Sequence, residues 1–487
     1  MDVNQQARTF IAQSQTALDE NRTPLATRYL MLAASLPISD AEVLEDLLAR
    51  AASRNATDVA QQALSRSPLR QSSPKLQLQY AETLSRRGQY DAARAGYLAL
   101  VKSDEHGPDA LLALGHLAMC KGEIAEAFDF AEQLQARVPD STVGLSLTAR
   151  IETEIGAYDR AQAALDKANA ISPLKAPPHF LLQRRAIAAG DIGEMFFRLY
   201  QREKPPNPLP ALDVPFLGDL NDARGKNIVV FGEQGFGDIL QFCRYLPHMV
   251  GMSDYLGYLV HPKLKRIVSA LGLSGVEIFD MDLSSRCPDY VVPLMDLPHL
   301  LGVKTIDPAP YLAAEPAALE HWRKRIGAGG FKIGIVWQGN AQAAIDYGRS
   351  IPLHHLARLA ELEGVRLISL QKGTGIEQIA ALPRHEIIEV FEDLDSGPDA
   401  YIDTAAAASC LDLIVTIDTS VAHLIGALGL PGVLLAKCYP DWRWTFPPTD
   451  RSIWYANTKI IRQPAPDDWA ASIDMLMDHV KERLQNA

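Results

Sequence analysis

The segments RGQYDAA (87–93), KGEIAEA (121–127), IGAYDRA (155–161) and AGDIGEM (189–195) decide the fold of the first two hundred residues, because their glycines recur every 34 positions. Gly88, Gly122, Gly156 and Gly190 carry other columns in the same register. Tyr90, Ile124 and Tyr158 follow two residues later, Ala93, Ala127 and Ala161 five later, and Ala81, Gly115 and Ala149 stand seven before. Pro139 and Pro173 close the second and third units. A fixed period of this length marks an array of like supersecondary units. Each unit reads as two short helices, with the glycine supplying the left-handed residue that ends the first and the proline stopping the second. The small residues let the paired helices approach closely. One such pair cannot bury its apolar face alone, so neighbours stack into a solenoid with a concave groove. Residues 1–74 keep helical patterning, in ATRYLMLAASL and EVLEDLLARAA, without the marker glycines. They are expected to be degenerate or capping repeats.

The composition changes after the repeats. EKPPNPLPALDVPF (203–216) places five prolines in fourteen residues, which predicts a stiff, extended connection. Beyond it, NIVVFG, YVVPL, KIGIVW, VRLISL, EIIEV, LDLIVTI and GVLLA alternate with helical segments, the pattern of βαβ units around a parallel sheet. Residues 217–487 are long for one doubly wound sheet. Pro308, Pro310 and Pro316 with Gly327, Gly329 and Gly330 mark a second seam before KIGIVW. The expected organisation is therefore an all-α solenoid of helical repeats over 1–202 and a proline-rich linker over 203–224. An α/β module follows, with one Rossmann-like half over 225–328 and another over 329–487, facing a cleft.

With 487 residues, 47% apolar and 22% charged, the chain has the composition of a globular protein of several compact units. A net charge of -12 leaves no basic excess to displace counterions from phosphates, which argues against a sequence-independent grip on nucleic acid. Cys120, Cys243, Cys287, Cys410 and Cys438 show neither CxxC spacing nor clustering with histidine, and read as reduced core thiols. The opening MDVNQQARTFIAQSQ has no basic or apolar signal region, and no run reaches the ~18 apolar residues of a membrane span. A cytoplasmic location is the expectation.

Two strand-to-helix turns carry the candidate chemistry. The first, NIVVFGEQGFGDILQFCRYLPHM, holds Gly232, Gly235 and Gly237 before a helix opening at Asp238, where backbone N–H groups and the helix dipole suit an anion. GxxGxG is not the dinucleotide fingerprint GxGxxG. Asp238 can equally cap its own helix. In the second, LDLIVTIDTSVAHLIGALG, a strand ends at Asp418, and Thr419 and Ser420 begin a helix at the carboxyl edge of the sheet, where such folds bind ligands. The N–H groups of Thr419 to Val421 are placed to hold a diphosphate. Asp418 would repel that diphosphate, so it is expected to order the turn by accepting backbone amides. His423 can face ligand or core. Arg349, in KIGIVWQGNAQAAIDYGRSIPL, is suited either to a leaving phosphate or to an ordinary surface ion pair. Gln371 and Lys372 end the strand LISL in ligand-facing loops. Trp442, Trp444 and Trp454 gather around Arg443, either as core packing or as a platform for a base or sugar.

Columns of small, Gly, Tyr, Ala and Pro positions over 75–175 resemble the tetratricopeptide repeat. The segments GEQGFGDILQFCRYLP, IGIVWQGN, GRSIPL, LISLQKG, DTSVAHLIGALG and PDWRW, in this order across roughly 220–465, resemble the heptosyltransferase-like glycosyltransferases of family 9. The layout of repeats ahead of such a module is also similar to the O-linked N-acetylglucosamine transferases and the bacterial flagellin glycosyltransferases. The resemblance implies a GT-B fold, a nucleotide-sugar held mainly by the C-terminal half, and inversion at the anomeric carbon. It implies neither metal nor cofactor beyond that co-substrate. The family's general base falls on Asp238, and its phosphate-neutralising basic residue on Arg349. Its donor turn falls on Asp418, Thr419, Ser420 and His423. Gly235, Gly237, Gln371 and Lys372 fall among the donor-site residues, and Trp337, Asn340, Trp442 and Arg443 among contacts to sugar or base. LQKGTG replaces the family's glycine-rich base pocket, so the donor need not be ADP-heptose.

The expected activity is transfer of sugar to Ser or Thr of a protein acceptor, such as a flagellin, recruited by the repeat groove. Two alternatives are a non-catalytic repeat scaffold with a degenerate transferase module and an enzyme acting on lipopolysaccharide or another glycan. The pairs Asp280/Asp282 and Asp393/Asp395 have DxD-like spacing but supply too few ligands to specify a metal site.

Overall fold

A computed structural model of the chain describes residues 2–486 apart from 21, 55, 174–177, 210–212, 281–286, 342–345 and 447–448. The repeat reading is realised as helix pairs: Pro74–Arg86 with Tyr90–Leu100, Gly107–Lys121 with Ile124–Arg137, Thr142–Glu154 with Tyr158–Ile171, and His179–Ala188 with Ile192–Tyr200. Gly88, Gly122, Gly156 and Gly190 stand between the helices of each pair at φ +73°, +93°, +77° and +69°. That left-handed backbone costs most residues a steric clash and costs glycine none. The small columns lie where helices touch. Ala81, Ala93, Ala127, Ala149 and Ala161 are fully buried. A Cβ on Gly115 would approach Leu147 Cδ2 to 2.6 Å. Residues before 74 also form helices, including Val3–Asp19, Thr23–Ala34, Ala41–Ser53 and Thr57–Arg66, around their own apolar cluster.

Packing divides the chain elsewhere than the proline run. One compact unit comprises residues 1–152, 159–175 and 340–348, and the other 153–158, 176–339 and 349–487. The last helix pair, despite its in-phase glycine, buries Ala186, Ile187, Met195, Phe196 and Leu199 among strand and loop residues such as Ile228, Val230 and Trp454. The boundary at 202 read from the sequence therefore does not coincide with the division in packing. Nor is the proline-rich stretch a free linker, since Phe216 bridges Val291 and Leu217 N–H donates to the Val291 carbonyl.

The α/β unit contains two parallel sheets. In the first, β1 (Asn227–Phe231), β2 (Tyr255–Leu259), β3 (Val276–Phe279) and β4 (Tyr290–Pro293) take the order β3-β2-β1-β4. The second holds β5 (Phe331–Ile335), β6 (Val365–Ser369), β7 (Ile388–Glu389), β8 (Leu413–Ile417), β9 (Gly432–Ala436) and β10 (Thr458–Arg462), in the order β10-β9-β8-β5-β6-β7. Each chain path runs outward from a central strand and then returns to the opposite side, creating switch points between β1 and β4 and between β5 and β8. β8 and β9 are buried along their whole length, as strands covered on both faces must be. Cys243 is buried but Cys287, in the segment leading into β4, is exposed, so the expectation of core thiols fails there. No helix among the described residues is long and apolar enough to cross a membrane.

Candidate functional site

The switch point between β5 and β8 leaves two turns facing the carboxyl edge of the second sheet. After β8 the chain passes Asp418 and Thr419 into the helix Ser420–Ala427. Among the described residues, no acceptor takes the N–H groups of Thr419, Ser420 and Val421. Three free amides at the start of an eight-residue helix form a local positive pole. The Ser420 hydroxyl accepts a 2.6 Å bond from Tyr401, which fixes the first turn. Arg349 contributes its charge here, since it opposes the upward shift of the Asp418 carboxyl.

Asp418 does not order its turn as expected, because no backbone amide among the described residues donates to it. It stands beside the Trp444 indole, Asp441, Arg349 and Arg443. Although the residue itself is only half-buried, burial of the carboxyl first, and the Asp441 charge second, push its pKa upward against the pull of the two arginines. For Asp441 burial again opposes ionisation, but Arg443 prevails and holds that carboxyl below its usual range.

The first sheet brings its own turn to the same place. Helix Phe236–Phe242 begins at Gly235, and a Cβ on Gly237 would meet His423 Cδ2 at 2.8 Å and Ser420 Cα at 3.4 Å. Gly237 is thus required for two helix starts to touch, and the ligand-approach reading of this glycine is replaced by a packing one. Asp238 combines both readings offered by its sequence. Its Oδ2 accepts the Gly235 N–H at 2.9 Å, as a helix-capping carboxylate does. Its Oδ1 pairs with the Arg443 guanidinium. Arg443, only 8% exposed, also donates to Gln241 Oε1 at 2.7 Å and to Asp441 Oδ1 at 2.9 Å. Its fork therefore joins the first-sheet helix to the loop after β9, and stacks 4.5 Å from the Trp442 ring centroid. Arg443 is built into the protein rather than aimed at a sugar.

Other candidates are also engaged by the protein. The Gln371 carboxamide accepts from the backbone of Trp337 and Gln338 at 3.0 Å each, and donates to the carbonyls of Gln338 and Thr374 at 3.0 and 2.8 Å. This ties the loop after β5 to the loop after β6 and leaves no polar atom for a ligand. Trp337 is fully buried, with its indole N–H on the Gly375 carbonyl at 3.1 Å, so it is a core residue. Lys372 is exposed and reaches the Leu394 carbonyl. Trp442 is half-buried, edge-on to Trp454. Asn340 is exposed and opens the segment 340–348 that packs with the helical repeats. His423 takes the core alternative: its Nδ1 lies 2.9 Å from the Tyr455 hydroxyl and its ring stacks on Trp444. Burial, reinforced by the Arg443 charge, lowers its pKa to about 3 and keeps it neutral.

One cluster went unread in the sequence. Glu233, two residues past β1, and Asp296, after β4, are both buried. Arg202 pairs with both, and Lys204 binds Asp296 at 2.7 Å. Burial pushes the Glu233 carboxyl upward against the pull of Arg202. This knot fills the switch point of the first sheet with protein side chains. Acidic residues two and three positions past buried strands were the only local signal.

No family model matches the chain. It is 24% identical over 382 residues to Protein FlbA of Caulobacter vibrioides, a match covering 71% of this chain. The matched region spans 62% of the length of that relative. Among solved structures, ADP-heptose lps heptosyltransferase II of E. coli is 14% identical, covering 52% of this chain and 99% of its own at a TM-score of 0.36. A family 9 glycosyl transferase from Veillonella parvula is 11% identical, covering 54% and 99% at 0.40. An O-GlcNAc transferase of Thermobaculum terrenum is 14% identical, covering 85% and 93% at 0.28. At these TM-scores the likenesses carry no weight of their own. The helical array followed by two parallel sheets, each with a switch point, stands on the strand order of the chain itself.

Proposed function

We propose that the chain is a glycosyltransferase that moves a sugar from a nucleotide-sugar donor to a Ser or Thr hydroxyl of a protein acceptor recruited by the helical repeats. One observation carries this reading: three unaccepted amides, of Thr419, Ser420 and Val421, follow Asp418, whose carboxyl feels the Arg349 charge, at the β5/β8 switch point and against the turn that bears Asp238. Amides and a guanidinium form a cradle for a diphosphate. Asp238 retains lone pairs beyond its two bonds, and its side chain is 17% exposed, so an acceptor hydroxyl can reach it. In the inverting step, Asp238 takes the hydroxyl proton while the hydroxyl oxygen bonds to the anomeric carbon from the face opposite the diphosphate. The bond to the diphosphate breaks, and the amides and Arg349 receive its charge, with each such donor contributing ~3 kcal/mol.

Metal independence belongs to the same proposal. Asp393 is paired with Arg325, and Asp395 accepts from the Asp403 and Thr404 amides and the Thr404 hydroxyl, so their oxygens serve the fold. Met281 and Asp282 lie outside the described residues. Intact-mass spectrometry of a candidate acceptor co-expressed with the chain tests the proposal, with an added sugar mass as the expected result. The purified pair should continue to react in excess chelator. A non-catalytic scaffold is favoured by one fact, the engagement of Asp238 by Arg443. Donor hydrolysis or transfer decides for the enzyme, and tight partner binding without turnover for the scaffold.

A further inference from the structure

Tyr401 stands at φ +67°, a left-handed backbone that a large side chain rarely adopts and that glycine takes freely. It directly precedes helix Ile402–Ala408, and the residues on either side hold it there. Asp395 accepts the N–H groups of Asp403 at 2.8 Å and Thr404 at 3.4 Å together with the Thr404 hydroxyl, and Asp403 Oδ2 accepts the Asp395 N–H at 3.0 Å in return. The Trp322 indole N–H donates to Asp403 Oδ1 at 2.8 Å, and the Ala400 N–H donates to the Lys263 carbonyl at 2.8 Å. Backbone strain persists where the surroundings over-determine it in this way. Glycine at 401 would relieve the strain and lose only the side chain, so the contacts of that side chain bear on why tyrosine stands there.

The ring lies edge-on to Phe236, 6.2 Å between centroids, and packs against the apolar cluster that holds Leu394 and Ile425. Phenylalanine would do as much. The hydroxyl goes further and donates to Ser420 Oγ at 2.6 Å. Burial pushes the phenol up to about 12, so it keeps its proton and remains the donor through neutral pH. A serine hydroxyl has two lone pairs and one proton. With Tyr401 on a lone pair, the Ser420 proton points elsewhere, and among the described residues no acceptor takes it. Ser420 is half-buried and opens the helix at whose start the N–H groups of Thr419, Ser420 and Val421 are unaccepted. A side-chain donor thus stands on the same turn as three free amides.

We infer that the Ser420 hydroxyl is a ligand of the donor diphosphate and that Tyr401 is the positioning residue that aims it: by donating to Oγ, the phenol turns the serine proton toward the phosphate oxygens. This deepens the reading of that turn as the diphosphate cradle and rests on it. Tyr401, Ser420 and the residues that hold them all lie in the α/β unit.

Calorimetric titration of the full chain with inorganic pyrophosphate tests the inference through Ser420→Ala, Tyr401→Phe, their double variant and Arg349→Ala. Ser420→Ala removes a hydrogen bond to a charged oxygen and is expected to weaken pyrophosphate about tenfold. Tyr401→Phe keeps the ring but frees the serine hydroxyl to rotate among three staggered positions, so binding should weaken about threefold. In the double variant Tyr401→Phe should add nothing to the loss from Ser420→Ala, because no hydroxyl remains to be aimed. A purely structural role would weaken binding equally in both backgrounds, and that result overturns the inference. Native affinity in Tyr401→Phe also overturns it. So does native affinity in Ser420→Ala alongside weakened binding in Arg349→Ala, an outcome that leaves the donor reading standing and decides the matter even if Tyr401→Phe fails to fold. No uptake of pyrophosphate by the native chain removes the donor reading and the inference together.

Discussion

Asp238 carries two bonds with different consequences. The Gly235 amide fixes the start of the helix, while Arg443 fixes the carboxylate against the loop after β9. Asp238→Asn keeps the side-chain shape and, in the mechanism proposed above, loses the proton acceptor. Transfer should fall by about 10²–10⁴, with donor affinity nearly native, as checked by product mass and by titration with the donor. Full activity would remove Asp238 as the base. His423 poses a separate question, because burial lowers its pKa from 6.5 to about 3. Between those values the unfolded chain takes up a proton that the folded chain refuses, so this residue withdraws stability as pH falls and contributes no pH dependence above 6.5. From pH 7 to pH 5 the loss is about 2 kcal/mol. His423→Gln has no such group. The stability gap between the native chain and this variant, measured by denaturant unfolding, should therefore shrink by about 2 kcal/mol over that interval. A gap independent of pH would show that the ring ionises in the folded protein.

At the scale of elements, helix Phe236–Phe242 meets helix Ser420–Ala427 through Gly237. His423 cannot retreat from an added methyl, since Trp444 stacks on it and Tyr455 holds its Nδ1. Gly237→Ala should cost about 1–3 kcal/mol, read as a lower denaturant midpoint, even though alanine is the better helix former. Elements of this kind were legible in the sequence where the constraint was local. The repeat glycines announced themselves because the backbone at φ near +75° selects glycine at a fixed period, and the strands because buried parallel strands read as short apolar runs. The candidate site was less legible. Asp418, Thr419 and Ser420 were read as a strand-to-helix turn and lie in one, but Gln371, Trp337 and Arg443 were read as ligand contacts and are engaged by the protein. Arg443 meets Asp238 from 205 positions away. No local pattern encodes partners so distant, and a polar side chain at a strand end looks the same whether it serves a ligand or a neighbouring loop.

For the whole molecule, the place where the chain divides can be tested against the place where its composition changes. The proline run suggests cutting at 203, whereas the packing puts helices His179–Ala188 and Ile192–Tyr200 inside the α/β unit. A chain starting at 203 would lose Ile187, Met195, Phe196 and Leu199 from a core shared with Tyr245, Met249 and Trp454. Each such side chain contributes roughly 1.5–3 kcal/mol when buried. The same cut removes Arg202 and leaves the buried Glu233 without its cation, which adds about 3–5 kcal/mol for a broken buried pair. Together these losses match or exceed the roughly 5–15 kcal/mol by which a domain is stable. A chain of residues 176–487 keeps both the helix pair and Arg202. It is expected to be recovered as a folded protein with a cooperative thermal transition, whereas 203–487 should aggregate or melt without one. Equal folding of the two fragments, by circular dichroism and thermal denaturation, would return the boundary to the proline run and show that the last in-phase glycine belongs to a dispensable repeat.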